Sequence, residues 1–188
     1  TSGILNVFAE HNFQGSVSIL TKSQNVLDDL ETLKRIKNAE VGFSITTSDD
    51  ALSRKLDAKA PIAHARLDTV KTLIDAGVNS YVFVGPFLPH MYLRPELIDE
   101  LFAGVRATGA TEVKVEYLNL PSYVRPRLRE FLKDQPEDIQ VVYAKSQKFE
   151  YRDTLEPVIR EALTNNGLQL RFNEIVHHVS DQELKETS

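Results

Sequence analysis

Short apolar runs alternate with longer stretches of helical periodicity over the first two thirds of the chain. Runs rich in β-branched and aromatic residues predict four buried strands, at 17–22, 40–46, 80–85 and 111–118. Between them, apolar residues recur every three or four positions, which predicts helices at about 25–37, 48–56, 62–76 and 95–109. Because no hairpin signal joins consecutive strands, the pattern indicates a parallel sheet.

The predicted fold class is α/β: a partial (βα) barrel of parallel strands, with about four βα units and a less regular C-terminal segment. In that segment the pattern favours helices near 125–133 and 154–165, and further strands at 139–144 and 168–172. We expect a single domain over 1–188, made of a βα core at 17–120 and a C-terminal extension at 121–188.

Composition narrows the class of protein. The chain has 188 residues, a formal net charge of −5 and no cysteine. The acidic balance gives no support to nucleic-acid binding, and no apolar run reaches the ~20 residues of a membrane helix. No signal peptide is visible at the N-terminus, so we expect a cytoplasmic protein. Without cysteine, this chain can hold no disulfide, Cys–zinc site or Cys-ligated iron–sulfur cluster.

Candidate binding residues gather where the predicted strands end. Lys22 ends the first strand, Ser44 and Thr46 lie on a small, polar face of the second, and the Gly85-Pro86 turn follows the third. Ligands of parallel sheets and barrels bind at the carboxyl ends of the strands. These residues therefore predict a binding rim, although a solvated lysine and hydroxyls bonded to nearby backbone stay an alternative.

Two charged sets have a simpler interpretation. Glu112, Lys114 and Glu116 share one face of the fourth strand, either as an inward charged trio or, as we favour, as an exposed edge kept soluble by charge. A basic stripe on the predicted helix at 125–133 could touch phosphate, but we expect a solvated face; it comprises Arg125, Arg129 and Lys133.

Several motifs follow one another in an order that resembles a known family. They are VSILTKS (17–23), DLETLKRI (29–36), EVGFSITT (40–47), DDALSRKLDAKAP (49–61), ARLDTVKTLIDAGV (65–78) and VFVGPFLP (82–89). This order resembles the radical SAM superfamily, in the branch similar to spore photoproduct lyase that is often labelled DNA repair photolyase-like. The resemblance covers about 17–120.

The resemblance implies a partial (βα) barrel that cleaves S-adenosylmethionine reductively at a [4Fe–4S] cluster. It assigns Lys22 and Ser44 to the methionine carboxylate end of S-adenosylmethionine, which an ammonium and a hydroxyl can bind. It assigns Thr46 and Arg66 to the same end or to the ribose. It also implies two positions that line the adenine pocket, Val84 and Pro86.

The chain departs from the family pattern in four ways. The C-x-x-x-C-x-x-C cluster motif is missing, and without thiolates the [4Fe–4S] cluster cannot be ligated by this chain. His90 replaces the usual glycine after the second proline, and Asp57-Ala58-Lys59 replaces the usual Glu-Pro. At least two βα units of the barrel are also absent.

Three hypotheses follow. The chain is the C-terminal part of a radical SAM enzyme, inactive without a cluster-bearing N-terminal half, which the missing initiator Met favours; it is a stand-alone, cluster-less α/β binding or interaction module; or it is an unrelated α/β protein. Under the first, we expect the cluster-bearing segment as a partner, or a homodimer through the open sheet edge. Neither a catalytic residue nor a metal ligand is predicted on this chain.

Overall fold

Five strands form one parallel sheet in the computed structural model, which describes residues 1–121 and 124–178. The strands lie side by side in chain order. They are β1 (Val17–Thr21), β2 (Ala39–Ser44), β3 (Asn79–Phe87), β4 (Glu112–Tyr117) and β5 (Gln169–Val176). The predicted α/β class with parallel pairing is confirmed.

Helices connect and cover the strands. They are α1 (Ser2–Glu10), α2 (Leu30–Arg35), α3 (Asp50–Leu56), α4 (Ala63–Asp75), α5 (Pro95–Ala107), α6 (Arg125–Leu132), α7 (Glu137–Lys145) and α8 (Phe149–Asn165). Two 3₁₀ turns complete the connections, at Gln24–Asp29 and Pro89–Leu93. No helix of the described chain is long and apolar enough to cross a membrane.

Local chemistry explains where the central helices begin and end. Asp49 caps α3 by accepting hydrogen bonds from the N–H groups of Ala51 and Leu52, so the helix predicted at about 48–56 begins at Asp50. Gly77 and Gly109 follow α4 and α5 with φ of +84° and +91°, a left-handed conformation that glycine adopts without a Cβ clash.

The predicted strand at 139–144 is wrong, because this segment belongs to α7. Val142 and Tyr143 are adjacent and both buried, whereas Val141 is exposed. A helix can bury two neighbours on one side, but a strand turns them to opposite faces. The fifth strand lies instead at β5, and it extends beyond the predicted 168–172.

Two other boundaries differ from the prediction. The helix predicted at 25–37 divides into a 3₁₀ turn, capped by Ser23, and the shorter α2. The third strand continues through Pro86 to Phe87, where the pairing with β4 shifts register. That irregularity accommodates a proline, which has no N–H to give to the ladder.

The core lies between one face of the sheet and the helices. Val41, Phe43, Val82 and Val84 on this face are fully buried. The apolar face predicted for the second strand is therefore buried as expected. On the opposite face, Gly42 lies under the Tyr81 ring, and a Cβ at this position would collide with that ring.

That opposite face, which we call the open face, is spanned by one arginine. Arg171 on β5 donates to Glu40 on β2 at 2.7 Å, with its guanidinium 4.2 Å from the Tyr81 ring centroid and 3.7 Å from the Glu112 carboxylate. In a flat sheet β2 and β5 would lie roughly 14 Å apart. A direct bond between them fits a sheet that curls toward the open face, as in an incomplete barrel.

The charged trio of β4 is corrected by this topology. β4 pairs with β3 on one side and with β5 on the other, so it is an interior strand and not the edge that we favoured. Glu112 pairs with Arg171, Lys114 lies 5.9 Å from the Phe83 ring centroid, and Glu116 lies 3.5 Å from His178. The trio therefore lies on the open face of the sheet.

Candidate functional site

A carboxylate shared by two cations marks the carboxyl ends of β1 and β2. Lys22, directly after β1, donates to both oxygens of Asp57 at 2.9 and 2.8 Å. Arg66 donates to the same carboxylate from Nη1 at 3.0 Å. Asp57 reaches this position because it ends α3, where its N–H donates to the carbonyl of Ser53. We call these three residues the rim cluster.

Arg66 anchors the rim cluster from inside the protein. Its side chain is only 1% exposed. Nε donates to the carbonyl of Pro61 at 2.7 Å, and Nη1 donates to the carbonyl of Ser44 at 3.2 Å. Nη2 is buried and makes no hydrogen bond within the described residues. A buried donor without a partner is costly, so this atom can still donate a hydrogen bond to a ligand or to a rearranged carboxylate.

The electrostatics of Asp57 are set by its two cations. Burial acts to raise the pKa of this carboxyl group. The hydrogen bonds and positive charges of Lys22, and then of Arg66, outweigh burial and hold the pKa below its ordinary value of 3.8. Asp57 is therefore ionised at neutral pH, and the rim cluster keeps one net positive charge.

A cavity of about 380 Å³ opens beside the rim cluster. This volume is within the range typical of small-molecule sites. Its lining combines charged groups with a mainly apolar wall: Lys22, Thr46, Lys55, Leu56, Asp57, Pro86, Leu88, Leu118, Leu120, Val124, Arg127, Leu128, Phe131 and Tyr143.

The structure brings three of the predicted residues to this cavity: Lys22, Thr46 and Pro86. Arg66 adjoins it as a member of the rim cluster, and Ser44 is held beside Arg66 by its carbonyl, which accepts a hydrogen bond from Nη1. The Ser44 side chain is buried, and its hydroxyl is 3.5 Å from the carbonyl of Gly85. Val84 is packed in the hydrophobic core, on the helix-covered face of β3. Its assignment to an adenine pocket stays a prediction based on the resemblance.

A histidine and a tyrosine form a polar pair at the cavity wall. Nδ1 of His90 lies 3.0 Å from the hydroxyl of Tyr143, which lines the cavity. Burial, and to a smaller extent the charge of Arg94, lowers the pKa of His90 below its ordinary value of 6.5. Burial also raises the pKa of Tyr143. Both side chains are therefore uncharged at neutral pH.

Sequence reasoning missed most of the apolar wall. The segment after β4, whose pattern is irregular, contributes Leu118, Leu120, Val124, Leu128 and Phe131, and the helix that was predicted as a strand contributes Tyr143. The partner of Tyr143 is His90, 53 positions earlier in the chain. The sequence analysis touched this pair only through His90, which replaces the usual glycine of the family.

The arrangement suits a ligand with a charged end and a largely apolar body. Lys22 and Asp57 place a cation and an anion side by side, as the carboxylate and ammonium of an amino-acid group require. The leucines with Phe131 provide apolar contact for a planar ring.

In the described part of the chain no group of three His, Cys, Asp or Glu residues is placed to hold a metal ion.

No family model matches the chain. An uncharacterised protein of Methanocaldococcus jannaschii is 27% identical over 158 residues, which is 83% of this chain and 58% of that protein. An uncharacterised protein of Mycobacterium tuberculosis is 31% identical over 112 residues, 58% of this chain and 33% of that protein. The chain thus spans little more than half, or only a third, of the length of these relatives.

The fold has counterparts among solved structures. A structure of spore photoproduct lyase complexed with dinucleoside spore photoproduct superposes with a TM-score of 0.63 at 14% identity. The superposition covers 94% of this chain and 55% of the lyase chain. A mutant form of the same lyase gives a TM-score of 0.61 over the same shares. The chain therefore has the α/β fold of slightly more than half of spore photoproduct lyase.

Proposed function

We propose that this chain forms the S-adenosylmethionine-binding side of a radical SAM enzyme. The observation that carries the proposal is the rim cluster, in which Lys22 and Asp57 lie side by side at the mouth of a cavity with an apolar wall. Lys22 is one of the two residues, with Ser44, that the family resemblance assigns to the methionine carboxylate end. The lyase-like fold supports the same interpretation.

The rim cluster fits both charges of the methionine end. The ligand carboxylate binds Lys22, and the ligand ammonium binds Asp57. When Lys22 turns from Asp57 to the ligand carboxylate, Nη2 of Arg66 donates a hydrogen bond to Asp57 in its place. The Asp57 carboxylate therefore still accepts from two donors. The apolar wall around Phe131 holds the adenine ring.

The [4Fe–4S] cluster does not fit this chain. It needs thiolate ligands, and the sequence has no cysteine. In the family the cluster supplies the electron that cleaves S-adenosylmethionine. We therefore propose that a segment or partner bearing the C-x-x-x-C-x-x-C motif provides the cluster, and that this chain binds and orients the co-substrate.

Calorimetric titration tests the proposal. We expect S-adenosylmethionine and S-adenosylhomocysteine to bind the chain weakly, and Lys22→Ala to lower the affinity at least 10-fold, about 1.4 kcal/mol. Lys71→Ala is the matched control, because Lys71 is exposed and paired with Asp75 on α4. No heat of binding at millimolar protein, or equal losses in both variants, would overturn the proposal.

A second candidate is a cluster-less module that binds a nucleoside-like ligand. It is favoured by the fact that the described residues alone form both the charged rim and the apolar wall of the cavity. Adenosine separates the two candidates. A module of this kind binds adenosine as tightly as S-adenosylmethionine, and Lys22→Ala changes neither affinity. The radical SAM proposal requires adenosine to bind more weakly, since it lacks the methionine end.

A further inference from the structure

Two cations line the cavity that neither the sequence patterns nor the family resemblance assigned to it. Lys55 extends from the last turn of α3, and Arg127 extends from the first turn of α6. Both side chains are exposed, and both line the cavity that Lys22 and Asp57 also line. They therefore flank the entrance from two different elements of the fold.

Neither side chain has a hydrogen bond or an ion pair with the part of the chain that the structure describes. Some cations elsewhere are instead paired with a carboxylate one helical turn away. Examples are the pairs Lys34–Glu31, Lys71–Asp75, Lys133–Glu130 and Arg160–Glu156. Around Lys55 the positions three and four residues away carry no acidic residue, and Glu130, which is within reach of Arg127, pairs with Lys133 instead.

The charge at the cavity is opposite to that of the whole chain. Its lining contains three cations, Lys22, Lys55 and Arg127, and one carboxylate, Asp57. That carboxylate also accepts a hydrogen bond from Arg66. The chain as a whole has a net charge of −5. A cavity with low-dielectric walls focuses the electric field of these positive charges, so it favours the binding of anions.

We propose that Lys55 and Arg127 bind the phosphate group of a second ligand, the substrate. S-adenosylmethionine has no phosphate, so it leaves these two charges without a partner when its methionine end occupies the rim cluster. A guanidinium binds two phosphate oxygens as a planar fork, and an ammonium adds a point charge. The site takes a small phosphorylated molecule, because the two cations line a cavity of about 380 Å³, a volume typical of small-molecule sites.

Chemical-shift titration by NMR of the whole chain tests this site. The probes are inorganic phosphate, glycerol 3-phosphate and, as the uncharged match, glycerol. We expect both phosphates to shift the amide resonances around the cavity with millimolar dissociation constants and glycerol to shift none. Tighter binding of glycerol 3-phosphate than of inorganic phosphate would identify a phosphorylated substrate, and the reverse would identify the free ion as the ligand of the same site.

Variants distinguish specific phosphate binding at this site from non-specific attraction by positive charge. Arg127→Ala and Lys55→Ala should each weaken phosphate binding at least 5-fold, whereas Arg129→Ala should change it less than 2-fold. Arg129 is the matched control, since it is exposed on the same helix but lines a different cavity. Equal losses at Arg127 and Arg129, or no shift with either phosphate, would overturn the proposal.

Two further measurements complete the test. The first is binding of a single-stranded decanucleotide. If it binds much more tightly than glycerol 3-phosphate and loses affinity equally in Arg127→Ala and Arg129→Ala, the proposal is overturned, because the cations then belong to an extended nucleic-acid surface. Lys22→Ala distinguishes this proposal from the S-adenosylmethionine proposal. It should lower the affinity for S-adenosylmethionine at least 10-fold, while phosphate binding persists within about 3-fold.

Discussion

Two arginines organise opposite ends of the same sheet, and their surroundings differ in the balance of charge. At the carboxyl ends of the strands, Arg66 and Lys22 share the single carboxylate of Asp57. Near the amino ends, Arg171 lies between two carboxylates, Glu40 and Glu112. The first arrangement has a spare positive charge, and the second has none.

This difference distinguishes a binding end from a structural end. The guanidinium of Arg171 is stacked on Tyr81 and bonded to Glu40, so it has little to gain from a further ligand. The guanidinium of Arg66 has a buried nitrogen without a partner, next to a cavity. A ligand carboxylate can pair with the spare positive charge at the first end, whereas at the second end the charge of Arg171 is already balanced by Glu40 and Glu112.

The largest effect is expected from Arg66→Met. It removes a guanidinium that is 1% exposed and leaves the Ser44 carbonyl and the Asp57 carboxylate short of a donor. We expect the free energy of unfolding to fall by about 3–5 kcal/mol, as when a buried ion pair loses one member. Chemical denaturation measures this change. A loss below about 1 kcal/mol, comparable with that of the exposed Arg129→Met, contradicts the anchoring role.

Arg171→Met should have a smaller effect on stability and none on ligand binding. It removes a charge-assisted hydrogen bond and leaves two carboxylates facing each other across the open face. We expect a loss of about 1–3 kcal/mol in denaturant unfolding. Calorimetry should give the wild-type affinity for S-adenosylmethionine. An affinity that falls as far as in Lys22→Ala would erase the contrast between the two ends.

Asp57→Asn tests, through the pH dependence of stability, whether the charge of this carboxylate stabilises the binding end of the sheet. The pKa of Asp57 is lowered in the folded protein, so its contribution to stability is present above the ordinary value of 3.8 and is lost as the pH falls through the lowered value. At neutral pH, Asp57→Asn should therefore be less stable than the wild type, and its loss should be smaller than that of Arg171→Met. In acid, the free energies of unfolding of Asp57→Asn and of the wild type should converge. Parallel pH profiles from pH 2 to 7 would show that the carboxylate charge is not the stabilising feature.

The smallest effect concerns His90, at the cavity wall. Its pKa is lowered in the folded protein, so the unfolded chain takes up a proton first as the pH falls below 6.5. Stability should decline from pH 6.5 toward the lowered pKa, and His90→Gln should remove that part of the decline. Thermal unfolding between pH 5 and 7.5 measures it. Identical slopes for the wild type and His90→Gln count against a buried neutral imidazole.

Local patterns predicted the first four strands and the rim residues Lys22 and Thr46, because short buried strands leave a clear signature and their carboxyl ends meet at one edge. They failed for α7, where β-branched residues favour a strand locally and packing decides for a helix. They also gave Asp57 no role, because it stood out only as a departure from the family's Glu-Pro. Its role depends on Lys22, 35 positions away, which no local pattern encodes.

The bond between Arg171 and Glu40 joins residues 131 positions apart. Closing so long a loop has a high entropic cost, and contacts of this kind slow folding when the rest of the fold must wait for them. β2 can pair with β1 early, because both are near in sequence, but the open face obtains its final shape only after β5 docks. The rim cluster needs no such contact, because Lys22 and Asp57 are only 35 positions apart and both precede β3. The binding end of the sheet can therefore form early in folding, and the open face is the part whose completion waits for the C-terminal strand.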